Sequence, residues 1–285
     1  MSRFSIADIK REVLQRGLVA SIGDTTIWRW LSQDAIRPWR FRSWIFPCDP
    51  DFSKKASRIL DLYEGTWEGE PLAEDDCVLS ADEKTSIQAR RRIAPTLPPV
   101  PGGPMLVEHE YERRGAWAYL AAWDVRRAKI FGRCEDTTGI APFGRLVRQV
   151  MSQEPYRSAP RVFWVVDNGS SHRGERCVKR LTQAWPQIIV VHTPVHASWL
   201  NQVEIYFSIV QRKVLTPNDS SLTRLRDRLL RFQEYYEEVA QPFQWEVHLA
   251  RSGAAPGQAV GFRYRPAPGG LRAPEYVIEF SRRST

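Results

Sequence analysis

The strongest constraint on folding in this 285-residue chain is a series of short apolar runs. They are CVLSAD (77–82), WAYLAAWDV (117–125), KIFGRC (129–134), VFWVVD (162–167) and IIVVHTP (188–194). Runs of this length, bounded by turn formers, read as buried strands, and WAYLAAWDV with KIFGRC reads as a hairpin. Between and after them, Thr138 to Met151, Glu175 to Trp185 and Trp199 to Lys213 carry apolar residues at helical spacing. Strands followed by alternating helix and strand predict an α/β fold around a sheet of mixed direction. Arg90 to Gly115, rich in Pro and Gly, is expected as a long ordered loop, or as an irregular excursion with a strand near Met105 to Val107.

Composition narrows the class without naming it. At 42% hydrophobic and 26% charged, the chain has the make-up of an ordinary globular protein. The net charge of +8 suits a polyanionic partner, although charge speaks to association and not to fold. No apolar run approaches the 18 or more residues of a membrane span, and MSRFSIADIKREV lacks the apolar stretch of a signal peptide. The expectation is therefore a cytoplasmic protein with no membrane partner. Cys48, Cys77, Cys134 and Cys177 show no C-x-x-C spacing, so neither a disulfide framework nor a zinc site is indicated.

The N-terminal residues read as two short helices. Ser5 can cap one carrying Ile6, Ile9, Val13 and Leu14, and Gly17 can end it; Asp24 or Thr25 can cap a second with Ile27, Trp28 and Leu31. That pair matches a helix-turn-helix, with Thr25, Thr26 and Arg29 on the helix that would enter a DNA major groove; a plain helical hairpin is the alternative. In RPWRFRSW, Arg37, Arg40 and Arg42 alternate with aromatics, which suits a linker lying along phosphates, although a surface strand or loop would look similar. A further helix is expected through Lys54, Ile59, Leu60 and Tyr63.

Three acidic residues stand out by position. Asp82 follows VLSA, Asp167 follows VFWVV, and Glu204 lies in the helix after SWLNQ. Ends of neighbouring strands converge on one edge of an α/β sheet, where such folds place their sites. Carboxylates gathered there repel unless cations neutralise them, and hard divalent ions bound through oxygen are the usual answer. Two such ions are a standard device of phosphodiester chemistry. Asn168 and Asn201 are candidates for orienting metal water or DNA, and Lys84 for a phosphate ligand. His172 either contacts the site or DNA or is satisfied by its own turn. His196 precedes the Glu204 helix and is a candidate DNA contact, whereas Trp199 is expected to pack. Alternation along the strand is expected to turn Glu83 away from the metals.

The segments SADEKTSIQAR (80–90), DNGSSH (167–172) and PVHASWLNQVEIYFSIVQRK (194–213) resemble the three catalytic blocks of the insertion-sequence 630 transposases, within the Tc1/mariner superfamily. Thirty-six residues lie between Asp167 and Glu204, which fits that group, and the resemblance extends over about residues 4–245. It implies an RNase H-like mixed sheet flanked by helices, preceded by a small all-α helix-turn-helix module. It also implies Asp82, Asp167 and Glu204 as catalytic ligands of two Mg²⁺ (or Mn²⁺) ions. The partners implied are double-stranded DNA, as terminal inverted repeats and a TA target, and a second copy of the chain on that DNA; the setting implied is prokaryotic and nucleoid-associated. The expected organisation is a DNA-binding module at 1–44, a helical linker at 45–75, a catalytic domain at 76–245 and an atypical tail at 246–285.

Two features depart from the family pattern. Members usually carry an additional helix-turn-helix ahead of the one seen here, and after PFQW this chain reads EVHLARSGAAPGQAVGFRYRPAPGG instead of a basic-aromatic segment and leucine-rich helix. Reading the codons for Glu246 to Ala250 one nucleotide later permits Lys, Phe and Thr. An out-of-frame tail is thus one reading, which sequencing the gene decides, and a divergent tail is the other. The departures also leave open a DNA-binding remnant without catalysis, or another RNase H-like nuclease.

Overall fold

A computed structural model describes residues 5–33, 49–169, 171–172, 174–216, 220–250 and 259–265, the strands at 244–250 and 259–265 by their backbone alone. The chain divides into two compact units, Met1–Ile45 and Phe46–Thr285. Among the described residues no helix is long and apolar enough to cross a membrane.

The first unit holds α1 (Ile6–Gln15) and α2 (Asp24–Gln33). Ser5 and Asp8 form a reciprocal capping box, each side chain accepting from the other's backbone N–H at 3.1 Å, so two otherwise unpaired donors of the first turn are satisfied. Gly17, at φ +65°, follows the helix in the left-handed region open to glycine. The first bonds of α2 run from Thr26 and Ile27 to the Gly23 carbonyl, so Asp24 lies inside the helix and not at its cap. Lys10 Nζ, 2.9 Å from Asp24 Oδ1, ties the two helices together. Thr25 and Arg29 are exposed and Thr26 half-buried. Arg37, Arg40 and Arg42 lie outside the described residues.

The second unit opens with α3 (Phe52–Tyr63) and a small ribbon, β1 (Thr66–Trp67) with β2 (Glu70–Pro71). Its centre is a five-stranded sheet of β3 (Cys77–Arg92), β4 (Tyr111–Asp124), β5 (Lys129–Glu135), β6 (Val162–Val166) and β7 (Ile188–His192), in the order β5-β4-β3-β6-β7. The β3-β4-β5 part is antiparallel, and β6 and β7 run parallel to β3. This is the RNase H-like mixed sheet. Helices α4 (Ile140–Met151) and α5 (Glu175–Ala184) follow β5 and β6; α6 (Val203–Lys213) and α7 (Leu222–Val239) follow β7.

Strand alternation feeds two cores. Val78, Ala121, Trp123, Phe163 and Val165 pack with Ile59 of α3, Tyr206 of α6 and Leu229 of α7. Their neighbours Leu79, Ala81, Leu120 and Trp164 pack with Phe143 and Leu146 of α4 and Leu181 of α5. Both faces of the sheet are therefore dry, which accounts for the nearly unbroken apolar runs of its central strands.

Three expectations are corrected. The run CVLSAD does not end at its carboxylate; β3 runs for 16 residues in all, from Cys77 to Arg92. Pairing with β4 carries it on to Arg92, through irregularities between Lys84 and Ile87 and between Gln88 and Arg90. The loop expected at Arg90 to Gly115 is consequently shorter, and the strand expected near Met105 reduces to isolated bridges, Leu97 with Leu106 and Val100 with Gly103. The helix expected from Trp199 is broken: a 3-10 turn at Ser198–Leu200 is followed by an extended Asn201 (ψ 106°) before α6 begins. Past α7, β8 (Gln244–Ala250) and β9 (Ala259–Arg265) pair as an antiparallel hairpin.

Candidate active site

Strand register brings the first two carboxylates level. Parallel pairing of β3 with β6 places Ser80 beside Val165, and continuing it by two residues brings Asp82 opposite Asp167, just past the end of β6. Asp82 thus sits at the open sheet edge although it lies mid-strand. One ligand atom each of Asp82, Asp167 and His172 lie within 4.8 Å of one another.

Asp167 is held from its own loop. Its Oδ1 accepts the Gly169 N–H at 2.7 Å and lies 2.7 Å from His172 Nε2. Among the described residues its Oδ2 has no hydrogen-bond partner. The loop is too tight for a side chain at Gly169, where a Cβ would stand 2.8 Å from Asp167 Oδ1 and 2.9 Å from His172 Nε2. Asn168 Nδ2 donates to the Thr193 carbonyl at 2.7 Å, tying the loop to the end of β7.

His172 is fully buried, with the Phe143 ring 4.7 Å away edge-on. Its environment is acidic. Glu83 Oε2 lies 3.6 Å from Nε2, and Glu83 Oε1 accepts the Ser171 hydroxyl at 2.7 Å. Because that hydroxyl is given to Glu83, Ser171 Oγ faces His172 Nδ1, 3.3 Å away, as an acceptor, and both ring nitrogens are placed to donate. Burial opposes the imidazolium, but Asp167, Glu83 and Asp82 outweigh it and the His172 pKa is raised. The His172 backbone carbonyl is fixed in turn by the His192 ring at 2.7 Å.

Asn201 does the equivalent work for Asp82. It is fully buried; its Nδ2 donates to the Ala81 carbonyl at 2.9 Å and lies 3.4 Å from Asp82 Oδ2, while its Oδ1 accepts the Ser80 hydroxyl. Ser80 Oγ in turn accepts the Val203 N–H at 2.8 Å. The start of α6 is bolted to β3 by these bonds, which is why the helix cannot run on unbroken from Trp199. Tyr63 adds a bond to the Leu200 carbonyl at 3.0 Å. Glu204 therefore enters in the first turn of the helix bolted to β3, while the ligand atoms gathered within 4.8 Å are those of Asp82, Asp167 and His172.

The electrostatics follow from these placements. Burial and the charge of Asp167 push the Asp82 carboxyl up to about 8, with smaller contributions from Glu204 and Glu83. Burial raises Glu204, Asp167 adds to it, and Lys84 works against it. Asp167 moves the other way, lowered by the His172 hydrogen bond and the Gly169 N–H against its own burial. Four carboxylates thus share their surroundings with His172 and Lys84, and burial together with this excess of negative charge raises Asp82. A donor set of carboxylate oxygens with surplus charge fits hard divalent cations.

Of the residues expected from sequence, Asp82, Asp167, His172 and Asn201 meet directly, and Glu204 and Lys84 join them through charge. Asn168 serves the loop. His196 is exposed with φ +61°, and Trp199 packs against Phe52 with ring centroids 6.4 Å apart. Glu83 has contacts that the expectation did not include. Alternation does put it on the opposite face from Asp82, but there it meets Ser171 and His172 and so reaches Asp167 indirectly. Ser80 and Ser171 were invisible as site residues, since a serine beside a carboxylate carries no signal of its own.

Solved structures similar to the chain include a pre-cleavage Mos1 transpososome, at 12% identity and TM-score 0.49, over 84% of this chain and 75% of that one. The mariner Mos1 paired end complex with Mg matches at 13% and 0.49 over the same shares, and the Mos1 strand transfer complex at 12% and 0.47 over 84% and 74%. No curated protein sequence matches the chain significantly. The sequence model of the DDE superfamily endonucleases matches residues 78–226, from the second residue of β3 into α7. That match spans more than half of the chain and takes in every carboxylate of the site, and the chain belongs to the DDE superfamily endonuclease family.

Proposed function

We propose that the protein is a DNA transposase of the insertion-sequence 630 group, which cleaves the ends of a mobile element and joins them to target DNA. The observation that carries this reading is the meeting of Asp82 and Asp167 at one sheet edge, with Glu204 in the first turn of the helix bolted to it, within the stretch that matches the family. Asp82, Asp167 and Glu204 would hold two Mg²⁺ or Mn²⁺ ions. When bound, such ions lower the pKa of an attacking water or hydroxyl and stabilise the leaving oxygen.

The protein's own part is positioning. His172 and the Gly169 N–H fix one oxygen of Asp167 and leave the other to face the site. Asn201 orients Asp82 and, through Ser80, sets where α6 delivers Glu204. Lys84 lowers the local negative charge without competing for a ligand position. Since both cleavage and joining are in-line phosphoryl transfers, holding the reacting groups in register supplies most of the catalysis.

In this reading residues 1–44 recognise terminal inverted repeats, with Thr25, Thr26 and Arg29 toward the groove and Arg37, Arg40 and Arg42 on phosphates. Residues 76–245 carry the chemistry, two copies act together on double-stranded DNA, and TA is the target. The test is incubation of the full chain with Mg²⁺ or Mn²⁺ and labelled DNA taken from either side of its gene. Cleavage at matched inverted ends with new 3′-OH termini, followed by joining at TA, supports it. Binding to those ends without cleavage under any divalent ion overturns it in favour of a DNA-binding remnant.

A further inference from the structure

A second feature runs from the carboxylates along the strand that carries Asp82. Beyond Lys84, β3 bends through an irregularity at which Ser86 takes φ +54°, and the chain continues toward Arg92. Such irregularities re-aim the side chains that follow. Here they open a cleft of about 330 Å³ against the end of α6, whose lining includes Lys84, Gln88, Arg90, Arg92, Gln211 and Thr216. Among the described residues three cations line it and no Asp or Glu does; the remaining polar side chains there are amides and hydroxyls.

The arginines are held in place. Their guanidinium groups lie over the Tyr111 ring of the paired strand, at 4.5 Å for Arg90 and 5.4 Å for Arg92. Arg92 Nη1 donates to the Glu108 carbonyl at 2.6 Å, and the Arg90 carbonyl accepts the Ser220 N–H at 3.0 Å. A planar donor fixed this way has less freedom to lose on meeting a phosphate. At one end, Lys84 is two residues from Asp82 and close enough to Glu204 to lower its pKa. At about 3.3 Å per residue, Lys84 to Arg92 covers at most about 26 Å, the length of several nucleotides at 3.4 Å each.

We propose that this cleft binds the phosphodiester backbone of the DNA strand whose reacting phosphate lies at Asp82, Asp167 and Glu204. The proposal rests on the transposase reading for the identity of that strand. Arg90 and Arg92 are its phosphate ligands at the far end, Lys84 is the one nearest the chemistry, and Gln88, Gln211 and Thr216 supply neutral hydrogen bonds.

The experiment measures binding of the full chain to a short fluorescein-labelled linear duplex over a range of salt, in Ca²⁺, and compares it with a variant carrying Lys84→Gln, Arg90→Gln and Arg92→Gln. Each lost phosphate contact should flatten the log K against log salt slope by about 0.9, so a fall of roughly two to three units is expected. Arg90→Lys with Arg92→Lys keeps the charge and should retain most of the slope. Thr216→Glu, at an exposed position, brings a carboxylate into the cleft without touching Tyr111 and should weaken binding several-fold, which tests the site even if the triple variant does not fold. An unchanged slope in the folded triple variant, or unchanged affinity in Thr216→Glu, overturns the proposal. Cleavage of element-end DNA in Mn²⁺ by the wild-type chain, measured alongside, separates the two readings. Cleavage with an unchanged slope overturns the cleft alone, whereas a flattened slope without cleavage supports the cleft and overturns the transposase assignment.

Discussion

His172 Nε2 lies 2.7 Å from Asp167 Oδ1, inside a pocket where Glu83 and Ser171 complete the surroundings of the ring. The imidazole thereby spends its donor on one carboxylate oxygen and sets the direction of the other. Groups that orient a metal ligand in this way typically cost about 10–100-fold in metal affinity or activity when removed. His172→Ala is expected to shift the Mn²⁺ concentration for half-maximal DNA cleavage upward by that factor, while His172→Asn, able to donate to Asp167, recovers part of it. An unchanged metal requirement in His172→Ala would remove the positioning role.

Gly169 gives a second handle on the same loop. A methyl group there meets Asp167 Oδ1 at 2.8 Å and His172 Nε2 at 2.9 Å, both closer than Cβ atoms tolerate. Gly169→Ala should therefore separate the pair and lower cleavage at least as much as His172→Ala. The melting temperature should fall only slightly, because the strain is confined to the loop after β6. Full activity in Gly169→Ala would show that the pair is not needed.

The raised Asp82 carboxyl makes stability depend on pH and on metal. Its folded pKa is about 8 against an ordinary 3.8, so the native state binds the extra proton. The resulting stability is fully present below the unfolded value and is lost as pH rises through about 8. In chelator, the melting temperature should fall between pH 6 and pH 8, and Asp82→Asn should show a smaller fall. Mg²⁺ at about a hundred times its Kd should restore about 2.7 kcal/mol, or roughly 5 °C, at pH 8 in the wild type and much less in Asp82→Asn. Thermal scans at the two pH values check both signs; equal metal effects in the two proteins would contradict the assignment of Asp82 as a ligand.

Away from the site, Asp76 is fully buried and accepts the Arg161 Nε–H at 2.9 Å and the Ala73 N–H at 2.8 Å. Burial works against its charge, but Arg161 and the Ala73 N–H prevail and its pKa is lowered. Its contribution is present above the ordinary carboxylate value and lost as pH falls through the lowered one. Asp76→Ala should cost about 2–4 kcal/mol near neutrality, since it leaves Arg161 and the Ala73 N–H without their buried acceptor, and should flatten the acid limb of the stability curve. Urea titrations at pH 7 and pH 3 measure both.

The central strands and the flanking helices were legible because each is a short apolar run or an amphipathic stretch bounded by turn formers. VFWVV and IIVVH match β6 and β7 as observed. Two things were not legible. The run CVLSAD marks only the doubly covered part of β3; past Asp82 the strand is held by β4 alone and turns polar, so its hydrophobic signal stops before the strand does. The start of α6 is set by Asn201 bonding into β3 across 120 residues of sequence, and no local pattern encodes such a contact. The three carboxylates could be named from position and resemblance. Glu83 was set aside because alternation points it away from Asp82, yet His172 comes from the other face of the sheet and joins the two sides. Arg37, Arg40 and Arg42 fall outside the described residues, so the linker reading stands on sequence.

The most direct test of the account is Mn²⁺-dependent cleavage of element-end DNA by the wild type beside Asp82→Asn, Asp167→Asn and Glu204→Gln, with DNA binding measured on the same preparations. If the three carboxylates hold ions as proposed, each substitution removes a charge worth several kcal/mol to the transition state, so each should lower cleavage by about a hundredfold or more with binding retained. Cleavage that survives any one of the three at near the wild-type rate would contradict the shared carboxylate site.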